Sequence, residues 1–427
     1  MGLNGILRTM FMAAVMAVLL MAAPPGVRAE GPLKLSDLLA EAERNSPELA
    51  ALRARYEAAY ERAAQAGAFD DPMLGLGFQN VPVDSFAFDR ESMTGKVVEL
   101  SQKLPFFGKR RLRTDAALHE ARALEAMYKD RMLSHHAEIK KAYYDLYAIK
   151  KELEIVGKNV SLMDAFRKTA ETRYSVGKGL LKDVVKAQVE VSMLIDRRIA
   201  LERRERTTRA FLGSLVGRDG PVTGEVADIS PTNIGMDKEA LDEAAMKNRP
   251  ALAAASEEVK KGGSMLELAR KDYLPDFTFS VGYMQRDRLR NGMDQPDMLS
   301  AMVSINLPVW WRSKLEPGVR AAASERTMAE RERAMTEDEI YYKVDSLLGD
   351  VEQDDRLLKL YKDGVIPQAT QDLDSAAAAY EVGRAGFLDL LDSRRTLFDY
   401  EMGYYTTLAA REKAVAELEA ATGVTLK

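Results

Sequence analysis

Two carboxylates, Asp389 and Asp392, stand three residues apart in "GFLDLLDSRR" and would share one face of a helix. Like charges at that spacing repel by about 0.2–0.5 kcal/mol on an isolated helix. Two readings fit them: an acidic surface that favours cations, or acids near a helix start opposing its dipole. Met284, Met298 and Met302 fall in two alternating stretches; a thioether is a soft ligand suited to copper(I) or silver, and equally a flexible filler of gaps. His119, His135 and His136 make no ligand set, because adjacent helical residues point to different faces and His119 lies far from both. Cys is absent, which excludes disulfides, thiolate metal sites, Cys nucleophiles and lipidation of an N-terminal Cys. HExxH, nucleophile-elbow and phosphate-loop motifs are missing as well, so the expectation is a protein that is no enzyme and holds no cofactor or resident metal.

The 427 residues are 30% charged, but the signs nearly cancel at -5, which gives no case for a nucleic-acid partner. Arg8, the apolar stretch 10–23 and Val27-Arg28-Ala29 before Glu30 read as a cleaved secretory signal over 1–29. Beyond it no apolar run reaches the ~20 residues of a membrane-spanning helix. A membrane crossing by this chain would therefore have to be a closed barrel.

The sequence is a tandem repeat. "NSPELAALRA" at Asn45 recurs as "NRPALAAASE" at Asn248, which puts Pro47 and Pro250 203 positions apart (250 − 47 = 203). Pro72 and Pro275 keep that spacing, as do Pro105 and Pro308. "YSVGKG" at Tyr174 and "YEVGRA" at Tyr380 differ by 206 (380 − 174 = 206), and so do "LGSLVG" and "LEAATG". The same parts recur in the same order, giving a first repeat over 30–217, a linker over 218–247 rich in Gly, Pro, Thr and Asp at its start, and a second repeat over 248–427.

Each repeat holds two stretches of period-two alternation. Phe277, Phe279, Val281 and Tyr283 alternate with Thr278, Ser280, Gly282 and Met284; Leu299, Ala301, Val303, Ile305 and Leu307 alternate with Met298, Ser300, Met302, Ser304 and Asn306. In the first copy Leu74, Leu76 and Phe78 form one apolar face and Val98, Leu100 and Leu104 another, with Lys96 and Gln102 as polar intruders. At ~10 residues each stretch suits a tilted membrane-crossing strand, although a soluble hairpin with one buried face has the same pattern. Polar loops such as 286–297 would lie outside the membrane.

The remainder reads helical. Over 109–173 and 314–379 Pro occurs only at 317 and 367, and apolar residues recur at three- and four-residue spacing among charges. Each span is long enough for ~100 Å of helix at 1.5 Å per residue. Leu391, Phe398, Met402, Tyr405 and Ala409 give a return helix one apolar face, so long helical hairpins with coiled-coil packing are expected.

At the strand-to-helix corners the chain writes "LPFFGKRRLR" and "LPVWWRSKL". Pro105 and Pro308 end strand pairing, since Pro has no N–H for the ladder. Phe106, Phe107, Trp310 and Trp311 suit the headgroup layer of a bilayer, and Lys109, Arg110, Arg111 and Arg312 would meet phosphates. A corner in a soluble core would read similarly. Four strands cannot close a barrel, which takes ~8 or more, whereas three copies supply twelve.

Over essentially the whole mature chain this pattern resembles the TolC family of outer-membrane efflux ducts. The resemblance rests on the two "NSPELAALRA"-type openings, two strands per copy, and the "YSVGKGLLKDVVKAQ" and "YEVGRAGFLDLLDSRR" turns. It implies a mostly α fold with membrane β: a homotrimer whose helical hairpins form an α-barrel tunnel and whose strands, four per chain, form a 12-stranded β-barrel in the bacterial outer membrane, extending into the periplasm. It further implies partnership with a periplasmic adaptor and an inner-membrane pump of the RND type. Val176, Gly177, Val382 and Gly383 match the family's adaptor-contacting tips, which any helix–helix turn would also populate with Gly. Asp389 and Asp392, gathered as six carboxylates, match its acidic pore ring. Tyr380 matches a gate tyrosine, whereas Ala385 stands where the best-known members carry a gating arginine. "SQKLPFFGKRRLR" is most similar to the heavy-metal efflux branch.

The expected function is thus a passive exit duct of a tripartite efflux pump, with heavy-metal cations as one candidate cargo. A duct for type I protein secretion shares the architecture. A soluble periplasmic coiled-coil adaptor or scaffold is the rival from a different class, and it would have no use for four membrane-length strands.

Overall fold

The computed structural model describes residues 32–426; the expected signal segment lies outside the described residues. In chain order the elements are α1 (Leu35–Asn45), α2 (Pro47–Ala66), β1 (Met73–Gln79), β2 (Gly95–Leu104), α3 (Lys109–Ser175), α4 (Leu181–Leu215), α5 (Lys238–Asn248), α6 (Pro250–Lys271), β3 (Phe277–Gln285), β4 (Met298–Ile305), α7 (Glu316–Leu360), α8 (Ile366–Glu381) and α9 (Phe387–Thr422). From α2 and α6 onward the two copies repeat helix, two strands and long helical hairpin in one order, and a short helix precedes each, α5 doing so from within the expected linker 218–247. Their glycines repeat too: Gly177 and Gly383 end α3 and α8 with φ of 72° and 79°, while Gly217 and Gly423 follow α4 and α9 with φ of 76° and 70°.

Pro47 and Pro250 occupy the first turns of α2 and α6, where a missing N–H has no helical partner to lose. Ser46 caps α2, its Oγ accepting the Leu49 N–H at 3.5 Å. At α6 the equivalent Arg249 offers no cap, and Asp130 of α3 replaces it: Asp130 accepts the Ala251 N–H at 3.1 Å and pairs with Arg249 at 2.8 Å.

The span 314–379, expected as one helix, is divided. A π-helical turn over Trp311–Leu315 precedes α7, and a second over Tyr361–Val365 separates α7 from α8. Pro317 and Pro367 follow them closely. Proline donates no bond and crowds the carbonyl four residues earlier, so the ladder widens locally instead of continuing in α register.

Two compact units emerge, each assembled from both repeats. The first comprises the described residues through Ala42, Ile139–Pro231 and Leu357–Ala410. One of its cores is a coiled-coil seam: Val156 and Met163 of α3, Ala187, Leu194 and Leu201 of α4, Leu373 and Tyr380 of α8, and Leu391 and Phe398 of α9 are buried at seven-residue intervals. A second core, with Leu38, Leu146, Tyr147 and Leu212, fastens the linker. There Leu33 and Val226 form a parallel bridge, Leu33 N–H donates to Glu225 O at 2.8 Å, and Lys151 pairs with Asp228 at 2.7 Å.

The second unit comprises Glu43–Glu138, Thr232–Arg356 and Arg411–Lys427. Leu241, Ile340, Val344, Leu347, Val351, Val415 and Leu418 build its helical core. Buried Glu412 accepts the N–H and Oγ of Thr232 at 3.0 and 2.6 Å, and Arg411 pairs with Asp355 at 2.7 Å.

The sheet in this unit is antiparallel in the order β1-β2-β3-β4, leaving β1 and β4 as edges. Register places Leu76, Val98, Tyr283 and Leu299 in one row and Leu74, Leu100, Val281 and Ala301 in the next, so these apolar residues from all four strands share one face. That face is open to the surroundings, with Leu76 74% and Leu299 78% exposed. The opposite face carries Gly75, Glu99, Gly282 and Ser300 in one row. The two intruders on the apolar face have partners: Lys96 pairs with Asp287 at 3.2 Å, and Gln102 donates to Asp70 O at 2.7 Å. The two hairpin loops are joined by Arg290 to Asp89 at 3.1 Å and by Arg286 to Ser92 O at 3.0 Å.

Candidate functional site

The residues singled out at the hairpin turns converge in the first unit. Both turns are Schellman motifs of one pattern: Lys178 N–H returns to Arg173 O at 2.8 Å and Gly177 N–H to Tyr174 O at 3.0 Å, and Arg384 N–H returns to Ala379 O at 2.8 Å and Gly383 N–H to Tyr380 O at 3.0 Å. The reversal needs positive φ at the glycine, which a Cβ would oppose. Val176 and Val382 are left 62% and 69% exposed, an apolar residue on each turn uncovered by the described residues.

Tyr380 is not on the surface. It is 3% exposed, with its ring 5.5 Å from that of Phe387. Burial pushes its hydroxyl pKa up and Asp183 adds to the shift, against the opposing pull of Arg173. Arg173, which the sequence reading passed over, joins the two turns. Its Nη1 donates to the carbonyls of Tyr380 and of Glu381, the latter at 3.0 Å, its Nη2 reaches Lys178 O at 3.4 Å, and its guanidinium lies 4.8 Å from the centre of the Tyr380 ring. A basic residue in the last turn of a helix ending in Gly was the available signal; the partner 207 positions away was not.

Asp389 and Asp392 are both exposed near the start of α9, as their spacing requires. Asp389 also has a local duty, since its Oδ2 accepts the Gly386 N–H at 2.9 Å, the return half of a capping box. The charge-ring and helix-start readings are therefore compatible for Asp389, while Asp392 stands free of that capping bond. Further along α9, buried Arg394 pairs with Glu190 of α4 at 3.1 Å, and desolvation lowers its pKa.

In the second unit the strand-to-helix corners divide the expected interface residues. Phe107, Trp310 and Trp311 are exposed, whereas Phe106 is half-buried, stacked 6.4 Å from Phe277. Lys109 corrects the expectation that it meets phosphates. Its side chain is 3% exposed, pairs with Asp276 at 2.9 Å and Asp272 at 3.3 Å, and donates to Leu274 O at 3.0 Å. Three acceptors satisfy the ammonium inside the protein. Arg110 and Arg111 stay at least partly exposed.

Among the described residues no group of three or more His, Asp or Glu is placed to hold a metal. The histidines have separate partners: His119 meets Glu257 at 2.7 Å and His136 meets Glu43 at 3.2 Å. Met284 and Met298 are register partners on the polar sheet face. Met284 is buried against Gly95, the gap-filling role.

The family model for outer membrane efflux proteins matches residues 38–218 and 241–424, spanning both repeats. The chain belongs to the outer membrane efflux protein family. This efflux protein is 22% identical over 399 residues to the cobalt-zinc-cadmium resistance protein CzcC of Cupriavidus metallidurans, covering 92% of this chain and 91% of CzcC. It is 21% identical over 375 residues to the outer membrane protein TolC of Vibrio cholerae, covering 86% and 85%. Among solved structures, VceC of Vibrio cholerae has a TM-score of 0.78 at 20% identity, covering 92% of this chain and 97% of that one. CusC has a TM-score of 0.78 at 14% identity, covering 94% and 96%. Family membership makes this efflux protein an outer-membrane channel and not an enzyme. Its fold is that of the TolC-type channels, helical hairpins joined to a strand contribution of four per chain.

Proposed function

We propose that three copies of this chain form the exit duct of a tripartite efflux pump, a passive path from a periplasmic adaptor and an inner-membrane RND-type pump to the exterior. The carrying observation is the sheet: one face apolar and largely exposed apart from Lys96 and Gln102, and both edges unpaired among the described residues. Bilayer hydrocarbon tolerates such a face, but it does not tolerate open edges, so copies must pair β1 with β4 until the sheet closes. Twelve strands from three chains give a barrel wide enough for an aqueous lumen.

In this reading each repeat, 30–217 and 248–427, supplies two strands and one hairpin, with 218–247 as linker. The turns at Val176-Gly177 and Val382-Gly383 offer exposed valines to the adaptor, Tyr380 and Arg173 hold the turns together as part of the gate, and Asp389 with Asp392 line the entrance as a ring of six carboxylates. Phe106, Phe107, Trp310 and Trp311 lie at the periplasmic membrane boundary. Metal cations are the favoured cargo: the acidic entrance suits them, and CzcC, similar over nearly the full length, is named for cobalt, zinc and cadmium resistance.

Membrane fractionation tests the assembly. The reading expects the protein in outer membranes, released only by detergent and cross-linked as a trimer; release by osmotic shock refutes it. For cargo, deletion of the gene is expected to sensitise cells to cobalt, zinc or cadmium, and unchanged metal tolerance with sensitivity to other compounds removes the metal assignment.

A further inference from the structure

A cavity of about 400 Å³ opens at the first strand-to-helix corner, walled by Phe69, Phe106, Phe107, Phe277, Phe279 and Arg110. Three properties set it apart from an ordinary surface hollow. It is continuous with the apolar sheet face, because Leu104 and Phe277 pair in one row of that face and Phe279 occupies the next. Its wall carries a cation: the Arg110 guanidinium is 3.4 Å from the Phe69 ring centre and fixed by an Nε bond to Gly67 O at 2.8 Å, while beside the lining Lys271 Nζ donates to Phe107 O at 3.4 Å. Its aromatic walls are also left open by the chain, Phe107 being 82% exposed.

We infer that this cavity is a phospholipid site, taking one acyl chain against the phenylalanines while the phosphate meets Arg110 and Lys271. An apolar slot with one cation in its wall and a second beside it matches an amphiphile with a single anionic head, and cavities of this size commonly hold small ligands. The inference rests on the duct reading, which puts the helix-bearing side of the barrel in the periplasm. The leaflet there is phospholipid, whereas lipopolysaccharide occupies the far one.

The test is native mass spectrometry of the full chain, purified as a trimer, delipidated and titrated with dioleoyl phosphatidylglycerol. One phosphatidylglycerol per chain is expected to survive activation that strips all other lipid. Arg110→Gln should reduce retention about tenfold, the loss of one charge-assisted contact, and Arg110→Lys should largely restore it. Arg198→Gln, at a side chain 53% exposed on α4 and outside the cavity, should match the native protein. Equal retention in Arg110→Gln and native protein, equal retention of uncharged dioleoylglycerol, or displacement by lipopolysaccharide overturns the site. A stable trimer that keeps no phosphatidylglycerol refutes the cavity alone, whereas a detergent-independent monomer removes the duct reading and the site with it.

Discussion

Arg173, at the end of the first repeat's long helix, donates to the backbone carbonyls of Tyr380 and Glu381 at the end of the second repeat's, while its guanidinium lies 4.8 Å from the Tyr380 ring centre. One side chain thus fixes the two hairpin turns of a chain to each other.

If the turns must separate for the duct to conduct, removing this clasp should favour the open state. Arg173→Ala is expected to raise the open probability in planar bilayers several-fold. Arg173→Lys should fall between, because an ammonium cannot reach two carbonyls with a fixed fork.

The two turn glycines differ in their surroundings. An alanine at either meets the positive-φ penalty of about 1–2 kcal/mol, but at Gly383 its Cβ would also stand 3.2 Å from Arg173 Nη2, with open space at Gly177. Gly383→Ala should therefore lower the thermal midpoint more than Gly177→Ala, and the difference should vanish in an Arg173→Ala background.

Lys109 and Arg111 sit two residues apart and should respond oppositely to truncation. Lys109→Ala leaves Asp276, 16% exposed, without its cation. Breaking a buried pair typically costs about 3–5 kcal/mol, which denaturant unfolding in detergent would register. Arg111→Ala, with an exposed partner 3.9 Å away, should change stability by less than about 0.5 kcal/mol.

Burial pushes the Glu152 carboxyl above its ordinary pKa, against the pull of Arg204 and Arg197. A carboxyl raised by folding holds its proton better in the native state, so its contribution is complete below the unfolded value of about 4.3 and declines as pH rises through the folded one. Glu152→Gln should match the native protein near pH 4 and be the more stable of the two at neutral pH. Melting midpoints across that range decide it; parallel curves would contradict the assignment.

Much of this architecture was legible because it is periodic. Alternation from Phe277 to Met284 fixed a strand and its two faces, and the shared spacing of three proline pairs revealed the repeat before any element was assigned. The heptad face from Leu391 to Ala409 followed likewise. What escaped depends on partners distant in sequence. Nothing beside Lys109 announces Asp276, and a lysine after two phenylalanines reads as interfacial until that carboxylate is seen. Arg173 was hidden for the same reason. The π-helical turns were missed because a proline in a helical pattern signals disruption without saying whether the helix stops, kinks or widens.

The most direct test is single-channel recording of the purified protein in planar bilayers, native and Asp389→Ala plus Asp392→Ala, with a trivalent cation added on the side of the hairpin turns. Discrete conductance steps are expected in both proteins, with cation block in the native one and little in the variant. Absence of conductance from the native protein and from Arg173→Ala alike would contradict the duct, and equal block in both proteins would contradict the acidic entrance.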